Sequence, residues 1–164
     1  MTPRRGAWPL WLILGLLVLL HFYLRPRLYA GRGAPDFLLL ALLIVSFRSR
    51  PGTAAVAGFV VGLVDDVLTP ARFGAGMFAH TVVAYLAAWG RAVFFADNLL
   101  VNAGLFATGT LLRNLLVLLA SGLGTGALVG SVTFWSVMQA VTTALAGTLI
   151  VLGIRHRVDF RLEE

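Results

Sequence analysis

The chain has 164 residues, of which 59% are hydrophobic and 12% are charged. A soluble domain carries about a quarter charged residues, so this composition indicates a membrane protein. All of the basic residues are Arg, and they are spread along the chain. The net charge of +6 therefore does not indicate a nucleic-acid partner, which needs basic residues clustered on one face. The absence of Cys excludes disulfides, thiol catalysis and cysteine zinc sites.

Six apolar runs, separated by segments with turn-forming and charged residues, predict the helices in chain order. The first run is interpreted as an uncleaved span, because Leu28 stands where cleavage near Ala30 would need a small residue. A spanning helix takes about 20 residues, so we predict a single transmembrane domain, residues 1–164, folded as an all-α bundle of six helices. The second and third runs are shorter than that, and five spans with a tilted or re-entrant pair is the alternative. The runs cover residues 8–24, 36–47, 53–69, 74–95, 99–121 and 126–154.

The arginines near or beyond the ends of the apolar runs predict the orientation. With six spans, the side that carries both termini has Arg4, Arg5, Arg48, Arg50, Arg91, Arg155, Arg157 and Arg161, and the other side has Arg25, Arg27, Arg32 and Arg72. By the positive-inside rule, both termini are predicted to be cytoplasmic. Arg113 belongs to neither side, since it lies in the middle of the fifth run.

Two adjacent acidic residues occur near the end of the third run, in the segment AGFVVGLVDDVLTPARFG at 57–74. Gly58, Gly62, Asp65 and Asp66 fall at i, i+4, i+7 and i+8, so the two glycines and at least one carboxylate share a helix face. Small residues four apart allow another helix to approach closely. Because an ionised group inside a membrane is costly unless it is paired, protonated or hydrated, we expect Asp66 to face the bundle.

Arg113 is the expected partner of Asp66; alternatively, an aspartate caps a helix, or Asp66 serves the docking of a partner protein. Polar residues recur on one face of the fifth and sixth runs, and we interpret the Ser, Thr and Gln among them as contacts between helices. These residues are Asn102, Gly109 and Arg113 on the fifth run, and Ser136, Gln139, Thr143 and Gly147 on the sixth.

Signals for enzymatic or cofactor sites are incomplete. The pair Asp65-Asp66 lacks the third aspartate of a D-D-x-x-D diphosphate site, and no second acidic cluster occurs in any run to help hold Mg²⁺. His80 has no second His at i+3 or i+4 for a metal pair, so a bundle-facing or interfacial position is predicted for it. The segment GLGTGA at 122–127 joins two predicted spans and has no acidic residue about 20 positions later. We therefore predict no catalytic residue, no metal and no cofactor.

Pro35, Asp36 and Phe37 open the second run, and Pro51 follows in a basic turn before the third run. Together with the glycines and Asp66 of the third run, this order of residues resembles the family of the rod shape-determining protein MreD. Its members show a Pro-Asp/Asn-aromatic start to the second span and a basic Pro-containing turn. A third span of the form G-F-x-x-G-x-x-x-D-x-[LI] follows, with a Gly eight residues after the Asp. The acid of this pattern falls on Asp66, and the pattern does not cover Asp65. The matching residues are Pro35, Asp36, Phe37, Pro51, Gly58, Phe59, Gly62, Asp66, Leu68 and Gly74.

This resemblance implies a non-catalytic component of the cell-elongation machinery in the bacterial inner membrane. Such a protein would bind MreC and help to regulate peptidoglycan synthesis and cell shape, with MreB and RodA with its penicillin-binding protein as further candidate partners. The implied fold is similar to that of the S components of vitamin transporters. A vitamin-binding S component is therefore the alternative function, although the first run lacks the Ala-xxx-Ala docking motif of that class. A membrane enzyme acting on a lipid-linked substrate is a third hypothesis, disfavoured by the lone acid pair.

A binding surface is predicted at the start of the sixth run. Gly126 and Gly130 have GxxxG spacing, which favours close packing of helices in membranes. We expect this surface to bind either the helix of a single-span partner or a second copy of the chain.

Overall fold

The computed structural model describes residues 8–24, 27, 33–94, 98–121 and 128–159. In these residues the protein forms six α-helices and no strand, which confirms the predicted all-α fold. A short 3₁₀ helix, Pro70–Arg72, lies between the third and fourth α-helices. The α-helices are α1 Trp8–Tyr23, α2 Phe37–Ser46, α3 Pro51–Leu68, α4 Ala75–Phe94, α5 Leu99–Ala120 and α6 Leu128–Asp159.

Three described helices are long and apolar enough to cross a membrane. They are α3, α5 and the Thr133–Gly153 part of α6. Together with the composition, they identify a helical membrane protein. Two further apolar helices, Leu12–Tyr23 and Phe37–Ser46, are shorter. The count of six spans rather than five stays a prediction.

The short helix α2 lies at the centre of the bundle. Its 10 residues extend about 15 Å at 1.5 Å per residue, half of the roughly 30 Å hydrocarbon core. It packs against α1, α3, α4, α5 and α6, and its side chains are buried almost all round. A helix that is apolar on every side is expected to be enclosed by other helices. The second apolar run is therefore a core helix.

The closest helix contact is between α3 and α4. The buried residues of α3 recur every four positions and comprise Ala54, Gly58, Gly62 and Asp66. A Cβ atom added at Gly62 would lie 2.5 Å from the Cα of Met77, and one added at Gly58 would collide with the carbonyl group of His80. Only glycine fits at both places, since the obstructing atoms are backbone atoms of α4. The predicted close approach therefore occurs within the bundle, between α3 and α4.

Helices α5 and α6 enclose the other side of α2. Gly109 of α5 lies against Leu43, and Gly147 of α6 lies against Leu40 and Phe106. Most residues on the faces predicted to point inward are buried, and Arg113 and Ser136 on the same faces are half-buried. The buried ones are Asn102, Gly109, Gln139, Thr143 and Gly147.

Candidate functional site

The carboxylate of Asp66, at the end of α3, caps the start of α4. It is 2% exposed, and its Oδ1 accepts the backbone N–H of Gly76 at 2.9 Å. Its Oδ2 accepts the N–H groups of Gly74 and Met77, each at 2.9 Å. The first N–H groups of a helix have no partner within the helix, and a negative charge is favourable there because of the helix dipole. Asp66 therefore anchors α4 to α3.

The turn between α3 and α4 allows this capping. Thr69 ends α3 by donating its hydroxyl to the Asp65 carbonyl at 2.7 Å, and Pro70 begins the 3₁₀ helix. Gly74 has a φ of 96°, a left-handed conformation that residues with a side chain rarely adopt. The chain thereby turns back so that the N–H of Gly74 reaches Asp66. The eight-residue spacing between Asp66 and Gly74 reflects the length of this turn.

The predicted pairing of Asp66 with Arg113 is wrong, because Arg113 pairs with Asp65. The Nη2 atom of Arg113 lies 2.7 Å from Oδ2 of Asp65. Consecutive residues are 100° apart around a helix; the face of Asp66 meets α4, whereas Asp65 reaches α5. Both oxygens of Asp66 are also occupied by backbone N–H groups. The side chains of Asp65 and Arg113 are 16% and 12% exposed, so this ion pair is largely enclosed.

A second carboxylate, Asp36 at the start of α2, lies on the other side of Arg113. Its Oδ2 is 3.9 Å from Nη1 of Arg113, and its Oδ1 caps α2 by accepting the Leu39 N–H at 3.1 Å. Its own N–H donates to the hydroxyl of Thr143 on α6 at 3.0 Å. Asp36 thus joins α2 to α5 and α6.

His21, at the end of α1, completes the connection between α1 and α2. Its Nδ1 accepts the Leu38 N–H at 3.1 Å and lies 3.3 Å from Oδ1 of Asp36. We use the term polar cluster for His21, Asp36, Asp65, His80 and Arg113. Sequence reasoning did not predict that His21 and Asp36 belong to this cluster. The sequence signal that could have indicated it is the position of these two ionisable residues, one on each side of the loop between the first and second apolar runs.

Arg113 also begins a chain of side-chain hydrogen bonds towards α6. Its Nη1 donates to Oδ1 of Asn114 at 3.1 Å, and Nδ2 of Asn114 donates to Oε1 of Gln139 at 2.8 Å. Gln139 is therefore a contact between helices, as interpreted from the sequence. Asn114 was not predicted as part of it.

His80 lies on α4 and is fully buried. Its Nδ1 is 2.8 Å from the carbonyl oxygen of Gly76, one turn earlier in the same helix. Helix α4 packs against α3 and α5, which carry Asp65 and Arg113, and against α2, which begins after Asp36. Of the two positions predicted for His80, bundle-facing or interfacial, the structure shows the bundle-facing one.

Comparison with models of protein families identifies the family to which the chain belongs. The model for the rod shape-determining protein MreD matches residues 3–155, almost the whole chain. The chain belongs to the MreD family. Comparisons with curated proteins and with solved structures found no match. As an MreD-family member, the protein is a membrane component with a role in the determination of rod shape.

The residues that carried the resemblance to MreD form one structural unit in this chain. Asp36 caps α2, and Pro51 occupies the first turn of α3, where its missing N–H is not needed. Gly58 and Gly62 permit the contact with α4, and Asp66 bonds to the Gly74 backbone in the turn that follows. The MreD pattern in this chain thus describes how α2, α3 and α4 are assembled.

The remaining predicted residues of this MreD-family chain have varied positions. Phe59 is 51% exposed on the outer side of α3. Gly126 lies outside the described residues, and Gly130 lies in α6 but its surroundings are also outside them. Within the described part of the chain, no group of three or more His, Asp or Glu side chains is arranged to hold a metal ion.

Proposed function

We propose that this chain is a non-catalytic scaffold of the bacterial elongation machinery that binds an MreC-type partner and helps to regulate peptidoglycan synthesis. The observation that carries the proposal is the match to the MreD family over residues 3–155. The vitamin-binding S component receives no comparable support, because the matching family is that of a shape-determining protein.

The use of the polar side chains inside the bundle supports a scaffold role. Asp66 is bonded to the backbone of α4, Asp65 is paired with Arg113, and Gln139 is bonded to Asn114. These contacts hold helices to one another, which is what a scaffold requires. The outer surface of the helices carries large apolar side chains such as Leu100, Leu119 and Leu149. Such a surface suits contact with lipid and with the helices of other membrane proteins.

We further propose an inner-membrane location with both termini in the cytoplasm. The excess of arginines on the side of the termini supports this orientation. Reporter fusions at the C-terminus test it, with a cytoplasmic signal expected. A periplasmic signal would contradict the orientation and favour an odd number of spans.

The proposed partner is tested by co-purification. The tagged chain is coexpressed with the MreC of its own organism, and both are extracted from the membrane. MreC is expected to elute with the tagged chain in mild detergent, and an unrelated single-span membrane protein is not. In a strain depleted of its own MreD, the chain is expected to restore rod shape. Absence of both results, with both proteins present in the membrane, would contradict the proposed function.

The predicted surface at Gly126 and Gly130 is tested by Gly130→Ile, which blocks close approach of a partner helix. In this variant, MreC or a differently tagged second copy of the chain is expected no longer to co-purify. Gly153→Ile is the matched control, since it lies on the same helix, is exposed and has no atom within 4 Å of an added Cβ. Equal binding by the Gly130 and Gly153 variants would place the partner on another surface.

A further inference from the structure

Among the polar atoms buried between α4 and α5, one on each helix has no hydrogen-bond partner in the described residues. These two atoms are Nε2 of His80 and Nε of Arg113. A buried polar group without a partner costs about 1–3 kcal/mol, and lipid cannot supply the missing bond. In most folded proteins such groups are bonded to protein or to an ordered water. The two atoms therefore indicate something that the protein binds at this place.

The two atoms have complementary hydrogen-bonding roles. Nδ1 of His80 faces the carbonyl oxygen of Gly76 at 2.8 Å, and a carbonyl can only accept, so Nδ1 carries the proton. In the neutral ring, Nε2 is then an acceptor with a free lone pair. The Nε–H of Arg113 is always a donor. One buried acceptor and one buried donor are thus left to be satisfied.

The packing of α4 against α5 brings His80 and Arg113 to the same level of the bundle. Val83 of α4 lies beside Gly109 of α5, and Ala75 and Ala79 cluster with Val117. In these contacts, lower residue numbers on α4 face higher residue numbers on α5, so the two helices are antiparallel. His80, next to Ala79, therefore lies level with the residues midway between 109 and 117, where Arg113 stands.

We propose that a single buried water molecule binds between α4 and α5, accepting a hydrogen bond from Nε of Arg113 and donating one to Nε2 of His80. Water is the smallest molecule that offers an acceptor and a donor together. Buried waters make about three hydrogen bonds to otherwise unsatisfied groups.

This water connects the two aspartates of α3 through a continuous chain. Asp65 binds Arg113, the water joins Arg113 to His80, and His80 binds the carbonyl of Gly76. The N–H of the same Gly76 donates to Asp66. The site thus links the ion pair between α3 and α5 to the turn of α4 that Asp66 holds. It also gives a role to a buried histidine that belongs to no group of three or more metal-binding side chains in the described residues.

The direct test is nitrogen NMR of the intact protein, labelled at its three histidines and reconstituted in nanodiscs. His80 is assigned by the disappearance of its signals in the variant His80→Gln. The expected spectrum shows His80 neutral, with the proton on Nδ1, Nε2 shifted as a hydrogen-bond acceptor, and magnetisation transfer from a slowly exchanging water. A proton on Nε2, or an Nε2 shift typical of an unbonded nitrogen, would overturn the proposal.

A double-mutant cycle provides an independent measurement. His80→Phe keeps an aromatic ring but removes the acceptor, and Arg113→Gln removes the guanidinium donor. If one water joins the two residues, the double variant is expected to lower the melting temperature by less than the sum of the decreases in the two single variants. Asn102 is the control, because its buried Oδ1 also lacks a described partner but lies about three turns from Arg113 on α5. Asn102→Leu and Arg113→Gln are expected to be additive, and additivity of the His80 pair would contradict the shared water.

Discussion

Asp65 and Asp66 are neighbours in the sequence with the same side chain, yet they stabilise different parts of the molecule. Asp66 binds three backbone N–H groups that lie 8 to 11 residues further along the chain. Asp65 binds the side chain of Arg113, 48 residues away. The 100° between them on the helix directs one to α4 and the other to α5. The comparison shows that helical phase decides whether an acid in this segment acts locally or across the bundle.

The largest expected effect separates these two roles. Asp66→Ala leaves three N–H groups, one buried and two partly buried, without an acceptor and removes the negative charge at the start of α4. Because bonds to a charged group contribute about 1.5–3 kcal/mol each, we expect a loss of about 4 kcal/mol or more in the free energy of unfolding. The measurement is the unfolding midpoint in detergent, with Asp65→Ala as the matched control. A smaller loss for Asp66→Ala than for Asp65→Ala would reverse the comparison.

The second prediction concerns the contact that brings Asp66 to α4. Gly62→Ala places a methyl group against the backbone of Met77, so α3 and α4 must separate. Overpacking of this kind costs about 1–3 kcal/mol, and the shift should also weaken the capping by Asp66. Gly52→Ala on the same helix is the control, since nothing lies within 4 Å of its added Cβ. Equal thermal stability of the two variants would show that the α3–α4 contact is not tight.

Much of the fold could be predicted from hydropathy and turn residues. Each helix of the structure begins within two residues of the start of its apolar run, because Pro and Gly end helices through local backbone effects. The inward position of Asp66 followed from its spacing to Gly58 and Gly62. The central position of α2 did not follow, since a short apolar run looks the same whether lipid or protein surrounds it.

The partner of Arg113 could not be predicted for a related reason. The choice between Asp65 and Asp66 depends on which neighbour of α3 lies on which side, and that is a property of the tertiary arrangement. Asp66 fulfils the alternative prediction, that an aspartate caps a helix. The Pro70 to Gly74 turn was the local signal for it, because a turn that short returns the chain to the end of α3.

The third prediction tests the Asp65 side of the comparison. Arg113→Gln leaves Asp65 and Asp36 as two enclosed carboxylates without their cation, whereas Asp65→Asn leaves Arg113 beside Asp36 at 3.9 Å. Breaking a fully buried pair costs about 3–5 kcal/mol. Because this pair is partly exposed, we expect about 2 kcal/mol for Arg113→Gln and less for Asp65→Asn. Thermal unfolding of both single variants measures the asymmetry.

The double variant Asp65→Asn with Arg113→Gln is the control for that pair. It removes one carboxylate together with the cation, so its stability is expected to exceed that of Arg113→Gln alone. The same experiment with Asp66→Asn in place of Asp65→Asn should give no recovery. Recovery with Asp66 instead of Asp65 would restore the pairing predicted from the sequence.

The smallest expected effect concerns Gln139, at the far end of the hydrogen-bond network that Asp65 and Arg113 begin. Gln139 reaches Arg113 only through Asn114, by a bond of 2.8 Å between the two amides. Hydrogen bonds between membrane helices contribute about 0.6 kcal/mol on average, so Gln139→Leu should lower the unfolding midpoint slightly. In the Arg113→Gln background the effect should nearly vanish, because Asn114 is then free to reorient. A loss as large as that of Arg113→Gln itself would mean that α6 is held to the polar cluster mainly through Gln139, and that the ion pair is not the centre of this network.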